Sequence, residues 1–147
     1  MVASSLVPSH SFQVEVLDIT ESGSPENFYR VEGLKLSLST SDYTPGGYNK
    51  PLGIPVSSNV SDLKLRRPLV ADKTKISNWC AEALNQLNFK PTSVHILILS
   101  KEQKVIAQWV AMGAYPKGLE ITSIGMGTQS FIEEVITIGC TNLVRKV

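Results

Sequence analysis

The sequence has few of the groups from which active sites are built. Only two histidines and two cysteines occur in 147 residues. Cys80 and Cys140 lie far apart in apolar surroundings, with no Cys-x-x-Cys or Cys/His spacing. That spacing excludes a zinc module or a dithiol redox pair and leaves two buried free thiols as the expectation. Charged residues make up 18 % of the chain and the formal net charge is +1. No dominant basic field holds a polyanion, and no acidic field draws cations. No apolar run approaches the ~20 residues of a membrane helix. Met1 to His10 lacks the basic and apolar regions of a secretory signal. The expectation is a chain folded in the cytosol without membrane insertion.

Catalytic constellations are missing as well. His10 lies near the N-terminus, and His95 alternates with Val94 and Ile96 inside an apolar run, where a structural role is expected. There is no Gly-x-Ser-x-Gly elbow, Walker loop or His-Glu-x-x-His pair. Glu133 and Glu134 are adjacent, so on a strand they point to opposite faces and cannot act as an acid/base pair on their own. Gly125 and Gly127 lack the strand–turn–helix setting of a dinucleotide loop. Lys64, Arg66, Arg67, Arg145 and Lys146 form small basic clusters without the interleaved aromatics that sheet-based nucleic-acid readers need. The chain is therefore expected not to be an enzyme and to use no cofactor or metal.

What is present is a core. Hydrophobic residues reach 42 %, enough for a chain of this size to fold without metal or disulfide support. Residues 1–147 read as one domain. Phe12, Val14 and Val16 alternate with polar residues as in a half-buried strand. Leu34, Leu36 and Leu38 do so within a second strand over Tyr29 to Leu38, which the turn-rich connector Glu21–Asn27 joins to the first as a hairpin. Ser61 to Leu65 alternates again, closing at Arg66-Arg67-Pro68. Ile76, Trp79, Cys80, Ala83, Leu84 and Leu87 form one apolar helical stripe, with Asp72 as N-cap and Pro91 just beyond the end. Val94 to Leu99 reads as a strand buried on both faces, turning at Lys101–Lys104 into Val105–Met112. Pro116 and Gly118 interrupt the pattern before a short strand, Leu119 to Ile124. A last strand spans Phe131 to Cys140, extended by Leu143 and Val144. The fold class is thus mainly β with one α-helix: a small antiparallel β-barrel or sandwich with the helix packed on one side.

One segment stands apart. Thr40 to Ser57 is dense in Gly, Pro, Asn, Ser and Tyr, and Pro45, Pro51 and Pro55 exclude a central strand. It is longer than an ordinary turn. Its tyrosines suit an interface, so residues 40–57 read as a projecting interaction loop, with a disordered surface loop as the alternative, and Tyr43, Pro45, Gly46, Gly47, Tyr48, Asn49 and Lys50 are the candidate contact residues.

The succession of motifs resembles the inner tail tube family of contractile phage tails and phage-tail-like contractile injection systems. The resemblance begins at Val31-Glu32-Gly33-Leu34 and continues through Asp42-Tyr43 and Gly46-Gly47-Tyr48-Asn49-Lys50. It then takes in Leu63–Arg67, Val70-Ala71-Asp72 and Asn78-Trp79-Cys80. Trp109, Ala114-Tyr115-Pro116 and Glu134–Ile138 complete it. The N-terminal strand and Gly125–Gln129 depart from the family pattern. The resemblance implies a structural subunit that assembles into hexameric rings, with residues 40–57 as the extended inter-subunit loop. The rings stack into a hollow conduit, with sheath protein around it, baseplate and spike proteins at its end, and DNA or an effector protein as cargo. The particle would be assembled in the cytoplasm. A tube-initiator ring joining the tube to the spike is the nearest alternative. A small β-barrel binding module is the alternative from another class.

Overall fold

Alternating apolar residues dictate most of the strands. The computed structural model describes residues 12–17, 28–69, 74–122, 124–127 and 131–146. Its elements are β1 (Phe12–Val16), β2 (Arg30–Glu32), β3 (Leu36–Tyr43), β4 (Leu52–Val60), β5 (Leu63–Pro68), α1 (Lys75–Gln86), β6 (Thr92–Leu99), β7 (Val105–Ile121), β8 (Glu133–Gly139) and β9 (Asn142–Arg145). Seven strands form one antiparallel sheet in the order β1-β6-β7-β8-β5-β2, with β9 also paired to β7. β7 is the shared member. Trp109–Met112 lies between β6 and β9, whereas Tyr115–Ile121 pairs with β8. The sheet is thereby divided into two leaves, β1-β6-β7-β9 and β7-β8-β5-β2, on one contiguous core. Val14, Val16, Val94, Ile96, Ala111 and Leu143 enter from the first leaf, and Leu63, Leu65, Ile136 and Ile138 from the second. Among the described residues β1 and β2 end the path without pairing to each other, so the arrangement is a sandwich and not a closed barrel.

The helix closes one side of that core against β7. Ile76, Trp79, Cys80 and Ala83 are buried, and Leu84 is half-buried against the core. Burying side chains of this kind contributes roughly 1.5–3 kcal/mol for each large one. Trp79 keeps its indole N–H satisfied by donating to the Lys90 carbonyl at 3.2 Å. Leu87 does not belong to the buried stripe. It is the C-cap, in the left-handed region at φ 56, and is 73 % exposed. The helix ends there because the chain unwinds to let the Asn88 N–H donate to the Glu82 carbonyl at 3.1 Å. Thr74 is the N-cap, its hydroxyl accepting from the Ser77 N–H at 3.2 Å. Asp72, expected in that role, lies outside the described residues, as does the Glu21–Asn27 connector.

Several expectations are corrected by long-range pairing. β1 pairs with β6 and β2 with β5, so the first two strands do not form a hairpin. The single strand expected over Tyr29 to Leu38 is divided between β2 and β3. Pro116 and Gly118 do not end their strand. β7 absorbs them as a bulge against β8 and runs on to Ile121. Leu143 and Val144 belong to β9, which pairs with β7 and not with an extended β8. In β6, Val94, Ile96 and Leu99 are buried while His95, Leu97 and Ile98 are half-buried, so neither face is buried throughout.

Candidate assembly interface

The segment read from sequence as a loop is a two-stranded β-ribbon. β3 and β4 pair along Leu36–Tyr43 and Leu52–Val60 and make a sheet of their own. β2 pairs with β5 just before it, so β2-β3-β4-β5 is one long hairpin with a kink. The kink has a local cause. Gly33 sits at φ +93, and a Cβ there would lie 2.0 Å from the Asp62 carbonyl oxygen. No other residue type tolerates that approach together with that φ. The Lys35 N–H donates to the Gly33 carbonyl at 2.8 Å, and the Ser61 N–H to the Lys35 carbonyl at 3.1 Å. Lys117 on β7 then reaches Asp62 at 3.0 Å and ties the ribbon root to the body.

The register decides what the ribbon shows. Residues opposite one another in an antiparallel pair share a face. Leu36 opposes Val60 and Leu38 opposes Ser58 on one face near the root. Tyr43 opposes Leu52 and Ser41 opposes Ile54 on the other face near the tip. A register shift after Ser39 leaves Val56 unpaired as the extra residue of a bulge. Leu36, Leu38, Tyr43, Leu52, Ile54 and Val56 are all exposed, Leu38 at 63 % and Val56 at 66 %. Isolated apolar residues on a surface are ordinary, but a ribbon bearing them on both faces is a candidate contact site.

The candidate contact residues gather at the tip of this ribbon. Tyr43 is the last residue of β3. Pro45 accepts from the Tyr48 N–H at 3.1 Å, and Gly47 sits at φ +91 in the turn between them. Tyr48 is 64 % exposed, and Asn49 and Lys50 lie exposed in the return bend. The prolines excluded a central strand, and β4 is not one: Pro55 opposes Thr40 in a ribbon with no third strand. The signal that would have found the strands is the alternation in Leu36–Leu38 and Leu52–Ile54, mirrored around the Gly-Gly tip.

A second polar constellation crosses the leaf of β2, β5 and β8. Arg66 Nε meets Glu32 at 3.1 Å and its Nη1 meets Glu133 at 2.6 Å, while the Tyr29 hydroxyl donates to the other Glu133 oxygen. The Tyr29 hydrogen bond and then Arg66 hold the Glu133 carboxyl below its ordinary range, against desolvation. The same hydrogen bond raises the Tyr29 phenol. One residue further along each strand, Arg67 and Glu134 form a buried pair at 2.8 Å. Arg67 also reaches the Thr74 and Ser77 hydroxyls at 2.9 and 3.2 Å and lies over the Phe28 ring at 5.2 Å. It thereby joins sheet to helix N-terminus. Glu133 and Glu134 do diverge, as strand geometry requires.

None of these groups is arranged as a reaction centre. His95 Nδ1 is paired with the Gln108 amide at 3.0 Å on the neighbouring strand. His10 lies outside the described residues. Cys80 is buried, and desolvation, then the nearby Glu134 charge, push its thiol up to about 12. Cys140 is half-buried and raised in the same direction by desolvation and then Asp62. Both shifts disfavour the thiolate, the form in which a cysteine acts as a nucleophile. Among the described residues no group of three His, Cys, Asp or Glu side chains could hold a metal ion, and no helix is long and apolar enough to cross a membrane.

The family described as T4-like virus tail tube protein gp19 matches residues 8–143. A search of curated proteins returns no significant match. Among solved structures, a chain of the extracellular contractile injection system PVC sheath–tube complex in the extended state superposes with a TM-score of 0.82 at 20 % identity, covering 99 % of this chain and 94 % of that one. A chain of the anti-feeding prophage baseplate, 6-fold symmetrised, gives a TM-score of 0.84 at 18 % identity, covering 96 % and 95 %. Hcp1 from Flavobacterium johnsoniae is more distant, with a TM-score of 0.53 at 12 % identity, covering 92 % and 94 %. At these identities the superpositions speak for the fold.

Proposed function

The chain belongs to the T4-like tail tube protein family, and from that premise we propose that it is the repeating structural subunit of the inner tube of a contractile, phage-tail-like injection system. Copies close into hexameric rings, and the rings stack head to tail into a hollow conduit for DNA or an effector protein. Sheath protein surrounds the tube, and baseplate and spike proteins meet its end. In this role the protein is not an enzyme.

The observation that carries the reading is the β3–β4 ribbon. Head-to-tail stacking is a heterologous contact, which needs an element that reaches a neighbour and not a self-complementary patch. The ribbon supplies that element, with apolar side chains on both faces and Tyr43 to Lys50 at its tip. Among the described residues β1 and β2 are the terminal strands of the sheet path, and pairing sheet edges across subunits removes edges that otherwise promote aggregation. Similar chains occur in a sheath–tube complex and in a 6-fold symmetrised baseplate. The baseplate likeness favours one second reading, a tube-initiator ring. Electron microscopy separates the two: long tubes from purified protein mark the repeating subunit, and isolated rings mark the initiator.

Removing Thr44 to Lys50 tests the ribbon's role. The shortened chain keeps its fold, judged by circular dichroism and thermal melting, and forms no stacked rings. Stacks of wild-type length at wild-type concentration would show that the tip has no part in stacking.

A further inference from the structure

We propose that the exposed apolar surface around Tyr29, Leu69 and Phe131 is the seat on which the β3–β4 ribbon of another copy, in the next ring, docks. This rests on the tube reading above and names the partner surface for it. The placement comes from the topology. The ribbon leaves β2 and β5 at their Glu32 and Leu63 ends. Tyr29 precedes β2 and Leu69 follows β5, at the opposite end of the same two strands. Phe131 precedes β8 at that end, and its ring meets Tyr29 edge to face with centroids 6.3 Å apart. Ile121, which opposes Glu134, ends β7 there too. Tyr29, Leu69, Ile121 and Phe131 are all exposed.

A second copy is the occupant that these features fit. Stacking by translation brings the near end of one subunit to the far end of the next, so the two contacting surfaces must differ. Here one end carries an apolar ribbon and the other an apolar aromatic patch. Between residues 36 and 60 only Asp42 and Lys50 are charged. Strands left in water are ordinarily protected by charge, so this ribbon is built to be covered. At about 3.3 Å per residue, the eight residues of β3 extend about 26 Å, longer than the about 20 Å of the six in β5. The ribbon is long enough to lie along a leaf of its neighbour.

Two variants test the pairing. A ribbon variant, Tyr43→Asp with Ile54→Asp, loses the ligand side; a seat variant, Leu69→Asp with Phe131→Asp, loses the receptor side. Each alone is expected to form rings, to raise the concentration needed for stacking at least about tenfold, and to melt cooperatively. Mixed, they retain one intact contact and yield two-ring stacks that grow no further, visible by electron microscopy. The milder Leu69→Ser with Phe131→Ser repeats the test if the aspartates impair folding. A seat variant that stacks like the wild type would overturn the assignment while leaving the tube reading intact. Loss of the rings themselves in a folded seat variant would also overturn it, placing the surface within the ring. A wild-type protein that forms no rings would instead fail the tube reading.

Discussion

At the scale of single residues, stability rests on a few positions that cannot be exchanged freely. Gly33 combines φ +93 with a carbonyl oxygen where a Cβ would stand. Gly33→Ala is expected to lower stability by about 1–3 kcal/mol, read as a shift in the denaturant midpoint. Glu134 and Arg67 neutralise each other in the core. Glu134→Ala removes the carboxylate that pairs with the buried Arg67 guanidinium at 2.8 Å and is expected to cost about 3–5 kcal/mol, whereas Arg67→Met with Glu134→Leu recovers most of that loss. Glu133 gives a pH signature. Its carboxyl is held below the ordinary value near 4.5 by Tyr29 and then Arg66. Its contribution is therefore complete above that value and is lost as pH falls through the lower, folded-state value. Glu133→Gln should remove this component, so that stability of the variant changes less than that of the wild type between neutral pH and pH 3. An unchanged acid limb would show that the carboxylate is not held by these partners.

At the scale of elements, legibility followed burial. Phe12–Val16, Leu63–Leu65 and the α1 stripe were readable because each buries one face, and burial imposes a period. Of the ribbon only the Leu36–Leu38 start was legible as strand. Both of its faces are exposed in the subunit, so no buried face extends a period through the rest, and the prolines outweigh the short alternation in Leu52–Ile54. Its prolines correctly excluded a central strand, and its tip residues were legible as a projecting turn. Long-range pairings were invisible. Arg67 and Glu134 are 67 positions apart, and nothing local in either segment signals that they meet. Leu87 continued the helical stripe in sequence, but capping geometry, which depends on the following backbone, turned it outward.

At the scale of the whole molecule, the two leaves, the helix and the kinked hairpin make a body with one extended arm. The body satisfies its own core, while the arm carries apolar side chains that the subunit does not cover. Among the described residues, the side chains that might have been read as chemistry, Glu133, Glu134, Cys80 and His95, are engaged in packing, ion pairing or hydrogen bonding within the subunit. In the proposed assembly the arm is the element that reaches a neighbour, and the tube reading takes that neighbour to be another copy. The most direct measurement of this account is electron microscopy of the purified wild-type protein at high concentration. Stacked rings with 6-fold averages and a central channel are predicted. A monodisperse monomer, with neither rings nor tubes, would contradict it.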